Sequence, residues 1–426
     1  MSKQSQASSL ISALGTLIGY IGSEAATEDV FERLLWPQRF FNAVTWRDAF
    51  EVGLLLPMGG PIHKAALTTL DKFHTNGIFK GRDLGNMLGT AFFHDMSFKY
   101  REHDPSPGNT GKEYVRNGLW VQAISRIPTG EEQKPLLVRA KSAVNFLELS
   151  HVFHDTKSID PALVIENDTG RITFRTLLAL VWSEITAIAT GAAVLGYWRS
   201  SFCLFWFFPL LLKLLSATCS IKREGLLPAP HQPASQTKEC PPETEEPIKR
   251  FEINTRGNGF LIISGPESVV LQFFRHYGHP VRSRPREILQ IIIIITLGFT
   301  FPAGLVASLI WMPEGMQYFW LGYQLYATIA LYVARYTKGR QWATTEARMA
   351  AVLGKGCEDP GGGDGVVYLR DGKEGTVVKG VLTRVGIGRF KEGQELVESY
   401  FDSRGRDGEE KRGRSESEDS EETVGK

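Results

Sequence analysis

Three side chains spaced by threes form the most chemical-looking stretch of this sequence. In "ELSHVFHD", Glu148, His151 and His154 recur at every third position, and Asp155 adjoins the last. On a helix the three would share one face, and imidazoles with a carboxylate are a competent ligand set for zinc or iron. His94 and Asp95 in "FFHDMS" repeat the Phe-His-Asp pattern of Phe153 to Asp155. The alternative is a set of ordinary surface or hydrogen-bonded histidines. One short constellation does not complete a metal site, so these three stand as candidates only. The sequence contains no G-x-x-x-x-G-K-[ST] phosphate loop and no G-x-S-x-G nucleophile elbow, and Gly386 to Gly388 is a lone G-x-G. No catalytic residue and no cofactor is assigned.

A second pair of groups draws its interest from its surroundings. Glu184 and Lys213 lie inside long apolar runs, each eight residues from the more basic end of its run. At 1.5 Å per residue that is roughly 12 Å deep on both helices. An isolated charge at such depth costs at least a few kcal/mol, which a hydrogen-bonded pair or a snorkelling lysine offsets. Three readings follow: a structural clasp, a proton or ion site, and two independent charges facing apart. The clasp is the expectation.

The elements that must position this pair are four apolar runs: Thr176 to Trp198, Ser201 to Ile221, Ile288 to Met312 and Met316 to Tyr336. A core strand needs only four to eight such residues, and a soluble buried helix keeps a polar stripe, so the stretch "ILQIIIIITLGFTFPAGLVASLIW" requires lipid as its solvent. Arg199 and Ser200 alone separate the first two runs, and Pro313, Glu314 and Gly315 turn the second pair. The expectation is an α-helical integral membrane protein with two hairpins: residues 176–221 and 288–336. Trp198, Trp311, Tyr318 and Trp320 gather near the ends, where amphipathic rings prefer the headgroup layer. Arg171, Arg175, Lys222, Arg223, Arg282, Arg284, Arg286, Arg335, Lys338 and Arg340 flank the outer ends of the hairpins, while only Arg199 lies at a turn. Positive-inside reasoning places both termini and the segment between the hairpins in the cytosol of a plasma membrane or endomembrane protein.

The remaining segments are expected on that side. Residues 1–170 read as a mixed, mostly helical domain, with "SEAATEDVFERLLW" and "AKSAVNFLELSHVFHD" as amphipathic helices and "LLLPMGGPIH" as a loop. Leu10 to Gly22 resembles a short signal-peptide core followed by small residues near Ala25 and Ala26; a buried or membrane-associated segment is the other reading. Residues 222–287 hold a Pro-rich linker, a β-hairpin around Gly257 and Gly259, and a helix over "SGPESVVLQFFRHYG" with Ser264 and Glu267 as a capping box. That helix lies on the membrane surface or packs on the N-terminal domain. Residues 337–400 begin with a helical stretch and continue as a Gly-rich segment with a hairpin of "GVVYLR" and "GTVVKGVLTRV". Residues 401–426 carry almost no apolar side chain and read as a disordered tail.

Composition conceals the membrane part: 42% hydrophobic and 22% charged residues with a mean hydropathy of −0.13 resemble a soluble average. A net charge of +1 argues against nucleic acid, and four cysteines without a C-x-x-C pair argue against a zinc ribbon or disulfide framework. Four spans with cytosolic histidines resemble the membrane-bound fatty-acid desaturases and hydroxylases. Their di-iron sites need several H-x-x-x-H and H-x-x-H-H boxes, and this chain has neither box and no adjacent His pair. In its soluble start, paired apolar hairpins and low-complexity tail the chain resembles multi-pass membrane proteins of filamentous fungi, which implies no activity. The expected partners are the lipid bilayer and cytosolic proteins, with the protein acting as a membrane-anchored interaction or scaffold protein. A solute transporter or channel subunit is the alternative class, and a membrane-bound enzyme of unrecognised type a third.

The orientation carries its own reporter. The one N-glycosylation sequon is Asn167-Asp168-Thr169, just before the first apolar run. Asn167 is expected to remain unmodified in a glycosylating host, and a glycosidase-sensitive mobility shift lost in Asn167→Gln would reverse the orientation.

Overall fold

A computed structural model describes residues 3–401 apart from 28, 43, 75–97, 103–112, 116–117, 128–142, 153–158, 167–171, 229–245, 256–258, 282, 338–343, 359–363 and 372–375. The tail, His94, His154, Asn167 and most of the Pro-rich linker lie outside the described residues.

Three stretches that are far apart in the chain converge in one sheet. Its strands are β1 (Lys99–Glu102), β2 (Glu113–Tyr114), β3 (Ala143–Val152), β4 (Val164–Glu166), β5 (Ile248–Thr255), β6 (Gly259–Pro266), β7 (Gly365–Arg370) and β8 (Val377–Gly386). They lie in the order β2-β1-β5-β6-β3-β8-β7-β4. β3 and β6 pair in parallel, as do β4 and β7, and the other neighbours are antiparallel. Parallel neighbours need long crossover connections. Here the chain from β3 to β6 includes the first apolar hairpin, and the chain from β4 to β7 includes both. The helices are α1 (Lys3–Ala25), α2 (Asp29–Leu35), α3 (Pro37–Phe41), α4 (Ala49–Leu55), α5 (His63–His74), α6 (Leu119–Ser125), α7 (Phe174–Trp182), α8 (Ile185–Trp198), α9 (Leu204–Thr218), α10 (Glu267–Arg275), α11 (Arg284–Ile310), α12 (Glu314–Tyr336) and α13 (Thr345–Glu358). A last helix, α14, covers 390–401.

The sheet is covered on both faces. Leu147, Leu149, Leu261, Ile263, Val378 and Leu382 pack against Trp120 of α6, Phe273 and Phe274 of α10, and Met349 and Leu353 of α13. On the other face Val144, Phe146, Phe260 and Ile262 meet Val397 and Phe401 of α14. Such strands lose the alternation that marks a half-exposed sheet, and β6 is buried at all but its last position.

That loss explains the main correction. "AKSAVNFLELSHVFHD" was expected to be helical, yet residues 143–152 form β3, hydrogen-bonded to β6 on one side and β8 on the other. Among the described residues, 3–166 remain mixed and mostly helical, with six helices and four strands. Residues 3–74 pack with the apolar helices, while 99–166 supply half the strands of an α/β unit. The hairpins β5–β6 and β7–β8, and helices α2, α10 and α13, fall where the sequence put them. α10 starts after Pro266 without the Ser264 cap, and it buries Val269, Val270, Phe273 and Phe274 against the sheet rather than lying on a membrane.

The apolar helices form a second body. Two of them, Ser201–Thr218 and Arg284–Ile310, are long and apolar enough to cross a membrane, and a third crossing is available if α7 and α8 count as one bent span. α12 packs beside α11, with α1 along both. Gln290 of α11 donates its amide to the carbonyls of Ser216 and Cys219 at 3.0 and 3.2 Å, a polar tie between apolar helices.

Bundle and sheet join through one arginine. Arg39 of α3 is ion-paired with Glu32 of α2 and, at 2.5 Å, with Glu346 of α13, and all three side chains are largely buried. Burial pushes the Glu346 carboxyl up, but the charge and hydrogen bond of Arg39 overcome it and hold the group at about 2. A carboxyl depressed on folding adds stability that is present above its ordinary 4.5 and is lost as pH falls toward 2. Glu346→Gln is therefore expected to cost on the order of 3 kcal/mol near neutral pH. The gap to wild type should narrow as pH falls from about 5 to 3, read by unfolding of the detergent-solubilised chain. A pH-independent gap would mean that this pair is not its source.

Candidate functional site

The apolar hairpin of α7, α8 and α9 is interrupted where its charges are. α7 ends at Trp182, α8 begins at Ile185, and the axis turns by 57° across Ser183 and Glu184. Glu184 and Lys213 of α9 form an ion pair whose side chains are 0% and 5% exposed. Ser183 adapts to the break by donating its hydroxyl to the Leu180 carbonyl at 2.7 Å while accepting from Lys213 at 2.8 Å.

The third participant is the chain between α4 and α5, "LPMGGPI", which is buried from Leu56 to Ile62. This irregular segment lies against the middle of α12. A Cβ on Gly59 would approach the Tyr323 hydroxyl to 2.9 Å, and one on Gly60 would meet the Ala327 methyl at 3.1 Å. The segment is buried away from bulk water, and the ion pair supplies partners for two of its backbone groups. Met58 N–H donates to Glu184 Oε1 at 2.9 Å, and Lys213 Nζ donates to the Leu56 carbonyl at 3.1 Å. Tyr326 closes the set by donating its hydroxyl to the Leu54 carbonyl. Lys213 thus directs its three N–H groups at three acceptors: Glu184, Ser183 and Leu56.

One acceptor is left over. Glu184 Oε2 is buried and has no hydrogen-bond partner among the described residues. The Tyr323 hydroxyl lies within its field, with Thr186 beside it. A cavity of about 30 Å³, lined in part by Arg33, Leu56, Pro57, Met58 and Lys213, adjoins the pair. That volume holds one or two water molecules and is far too small for an organic solute. The arrangement can hold the backbone, accept one further proton or water, and exclude anything larger.

The sequence brought Glu184 and Lys213 to attention through depth alone, and the fold places them in contact. The histidine cluster fares otherwise. Glu148 and His151, three apart on a strand, point to opposite faces. Glu148 is exposed, while His151 Nε2 lies 3.5 Å from the Ser268 hydroxyl, which donates to Glu246 at 2.6 Å. Burial lowers the His151 pKa, and Glu246 opposes the shift in part. The serine gives its proton to the acid and not to the imidazole, so this is no nucleophile-activating geometry. Among the described residues no three His, Cys, Asp or Glu side chains could share a metal ion.

The contributions of residues 56–62, Tyr323 and Tyr326 escaped the sequence reading. The visible signal was an apolar stretch, "VGLLLPMGGPIHKAAL", broken by two prolines and a glycine pair, which marks a loop but not its depth. No family model, curated protein or solved structure matches the chain.

The site is asymmetric, since the carboxylate faces an N–H and the ammonium faces a C=O. Glu184→Lys or Lys213→Glu alone should destabilise the chain by about 3–5 kcal/mol and lower its membrane accumulation. The double exchange should recover only part of that, because it turns a cation toward Met58 N–H and an anion toward the Leu56 carbonyl. Normal accumulation of both single variants would dismiss the clasp, and so would a double exchange no better than the worse single variant.

Proposed function

We propose that this is a membrane-anchored cytosolic interaction or scaffold protein, with an α/β platform fixed to a polytopic helical anchor. The observation that carries the reading is the composition of the sheet. Strands from before the first apolar hairpin, between the two hairpins and after the second are hydrogen-bonded neighbours. Segments paired in one sheet share one side of a bilayer, so each hairpin must return to the side from which it entered. This supports four crossings in the two hairpins, with α12 as the fourth: its 23 residues span about 34 Å, enough for a hydrocarbon core of about 30 Å. The basic flanks give that side as the cytosol, with the C-terminal segment on it. All three donors of Lys213 are engaged, which favours an anchor over a conduit.

A transporter or channel subunit is the second reading, favoured by a buried carboxylate oxygen of Glu184 that has no hydrogen-bond partner among the described residues. One experiment separates the two. The gently solubilised full chain should retain a soluble protein near one-to-one stoichiometry, and Glu184→Gln should leave that retention intact. Absence of any stoichiometric partner, together with ion flux in proteoliposomes that Glu184→Gln abolishes, would overturn the scaffold reading in favour of transport.

A further inference from the structure

The first helix is built into the apolar bundle, and its direction there is fixed by three glycines. A Cβ on Gly15 would meet Leu305 at 2.5 Å, and one on Gly19 would meet Phe301 at 2.7 Å. Four residues back along α1 therefore correspond to four residues forward along α11, so the two helices run antiparallel in close contact. Gly22 faces Thr328 of α12, the Ile21 carbonyl accepts from the Tyr332 hydroxyl at 3.1 Å, and the Glu24 carbonyl accepts from Arg335. The end of α1 thus lies beside the basic end of α12. Continued at the same register, its beginning reaches the level of the turn at Pro313, on the far side of the bundle from the sheet.

The outer surface of α1 is apolar and open. Ile11, Ile18 and Ala25 are packed, whereas Leu10, Leu14, Leu17, Tyr20 and Ile21 are exposed, at spacings of three and four along one stripe. From Gln4 to Ser23 there is no Asp, Glu, Lys or Arg; α1 is 23 residues long, and its apolar part, Leu10–Ala25, covers about 24 Å. The stripe continues the exposed apolar faces of α11 and α12, where Ile292, Phe299, Val306, Leu325 and Ile329 are also uncovered. Charge gives an independent indication: Lys3 is the one basic residue of α1 and stands at its start, whereas Arg33 and Arg39 follow its end within a short distance. Positive-inside reasoning applied to α1 alone puts its end, not its beginning, in the cytosol.

We propose that α1 is a further membrane crossing, its exposed stripe in contact with lipid hydrocarbon, so that the residues ahead of it lie across the bilayer from the sheet. This rests on the reading that the apolar bundle is membrane-embedded with the sheet on the cytosolic side. It replaces the signal-peptide and cytosolic-terminus expectations for this segment, since the small residue Ala25 near the cleavage position is 2% exposed inside the bundle.

The test uses the full chain with Cys203, Cys219, Cys240 and Cys357 replaced by serine and one cysteine restored at a time, Ser5→Cys or Ser417→Cys. A membrane-impermeant maleimide is applied before and after permeabilisation. The expected result is labelling of Ser5→Cys from the non-cytosolic side and of Ser417→Cys only after permeabilisation. Protection of both until permeabilisation overturns the crossing while leaving the orientation of the sheet standing. Labelling of Ser417→Cys from the non-cytosolic side instead overturns the underlying topology. If the serine background fails to accumulate, a glycosylation tag placed ahead of Met1 in the unaltered chain gives the same decision: glycan supports the crossing, and an unmodified tag, with the sequence around it known to be accepted elsewhere, removes it. For the stripe, a nitroxide on Leu14→Cys or Leu17→Cys should be relaxed by oxygen and not by a polar nickel chelate. Loss of access to both would mean that a second copy or another protein covers the stripe, against the lipid contact proposed.

Discussion

An irregular chain segment inside an apolar bundle needs partners for its peptide groups, because bulk solvent does not reach them. Each unsatisfied group costs several kcal/mol in a hydrocarbon setting. The segment from Leu56 to Ile62 meets part of this demand with side chains from elsewhere: Glu184 takes the Met58 N–H and Lys213 gives to the Leu56 carbonyl, while Tyr326 gives to the carbonyl of Leu54 in the last turn of α4. The charges and the segment are mutually dependent. A buried ion pair alone repays its desolvation poorly, and it improves when its spare donors and acceptors are used. The segment in turn uses them because Gly59 and Gly60 allow its backbone to approach α12 closely.

The same logic explains why the bundle and the sheet are interwoven. β4 leads directly into the first apolar hairpin, which returns the chain through Arg223 and Leu226 to the sheet body, where Leu226 N–H meets the buried Asp371 carboxylate at 2.8 Å. A strand order that joins β5 and β6 to β1 on one side and β3 on the other leaves neither half of the soluble unit complete without the hairpins between them. The sheet is therefore no appended domain on a flexible tether: its core is assembled from segments that the apolar helices separate in the chain.

How much of this could be read in the sequence depends on whether a signal is local. The hairpins β5–β6 and β7–β8 carry their own turn residues and alternating or apolar strands, and α2 and α13 their own amphipathic spacing, so each was legible. β3 was not, because its neighbours come from more than a hundred and more than two hundred positions later, at Gly259 and Gly386. With both faces covered, Val144, Phe146, Leu147 and Leu149 imitate a helical stripe. Glu148 and His151 lost their shared face for the same reason. Glu184 and Lys213 were legible because depth in a span is a local count. The segment they serve was not, because nothing in "PMGGP" records which helix will cover it.

Contacts continue from the ion pair to the sheet without a gap. Lys213 and Ser216 are three apart on α9 and so share a face; the first holds the loop, and Ser216 donates to the Leu34 carbonyl of α2 at 2.8 Å. Two residues before Leu34, Glu32 meets Arg39, and Arg39 reaches Glu346 at the start of α13, whose Met349 and Leu353 lie in the sheet core. Every link is a buried polar contact or a packed helix, and such groups are expensive to separate one at a time. Displacing α13 on the sheet must therefore either break the Arg39 pair or carry α3 and α2 with it, and α2 is held to the helix that bears Lys213. The apolar bundle is in this sense continuous with the sheet body: its interior charges fix a loop, the loop and α2 fix the junction, and the junction sets the position of the sheet relative to the apolar helices.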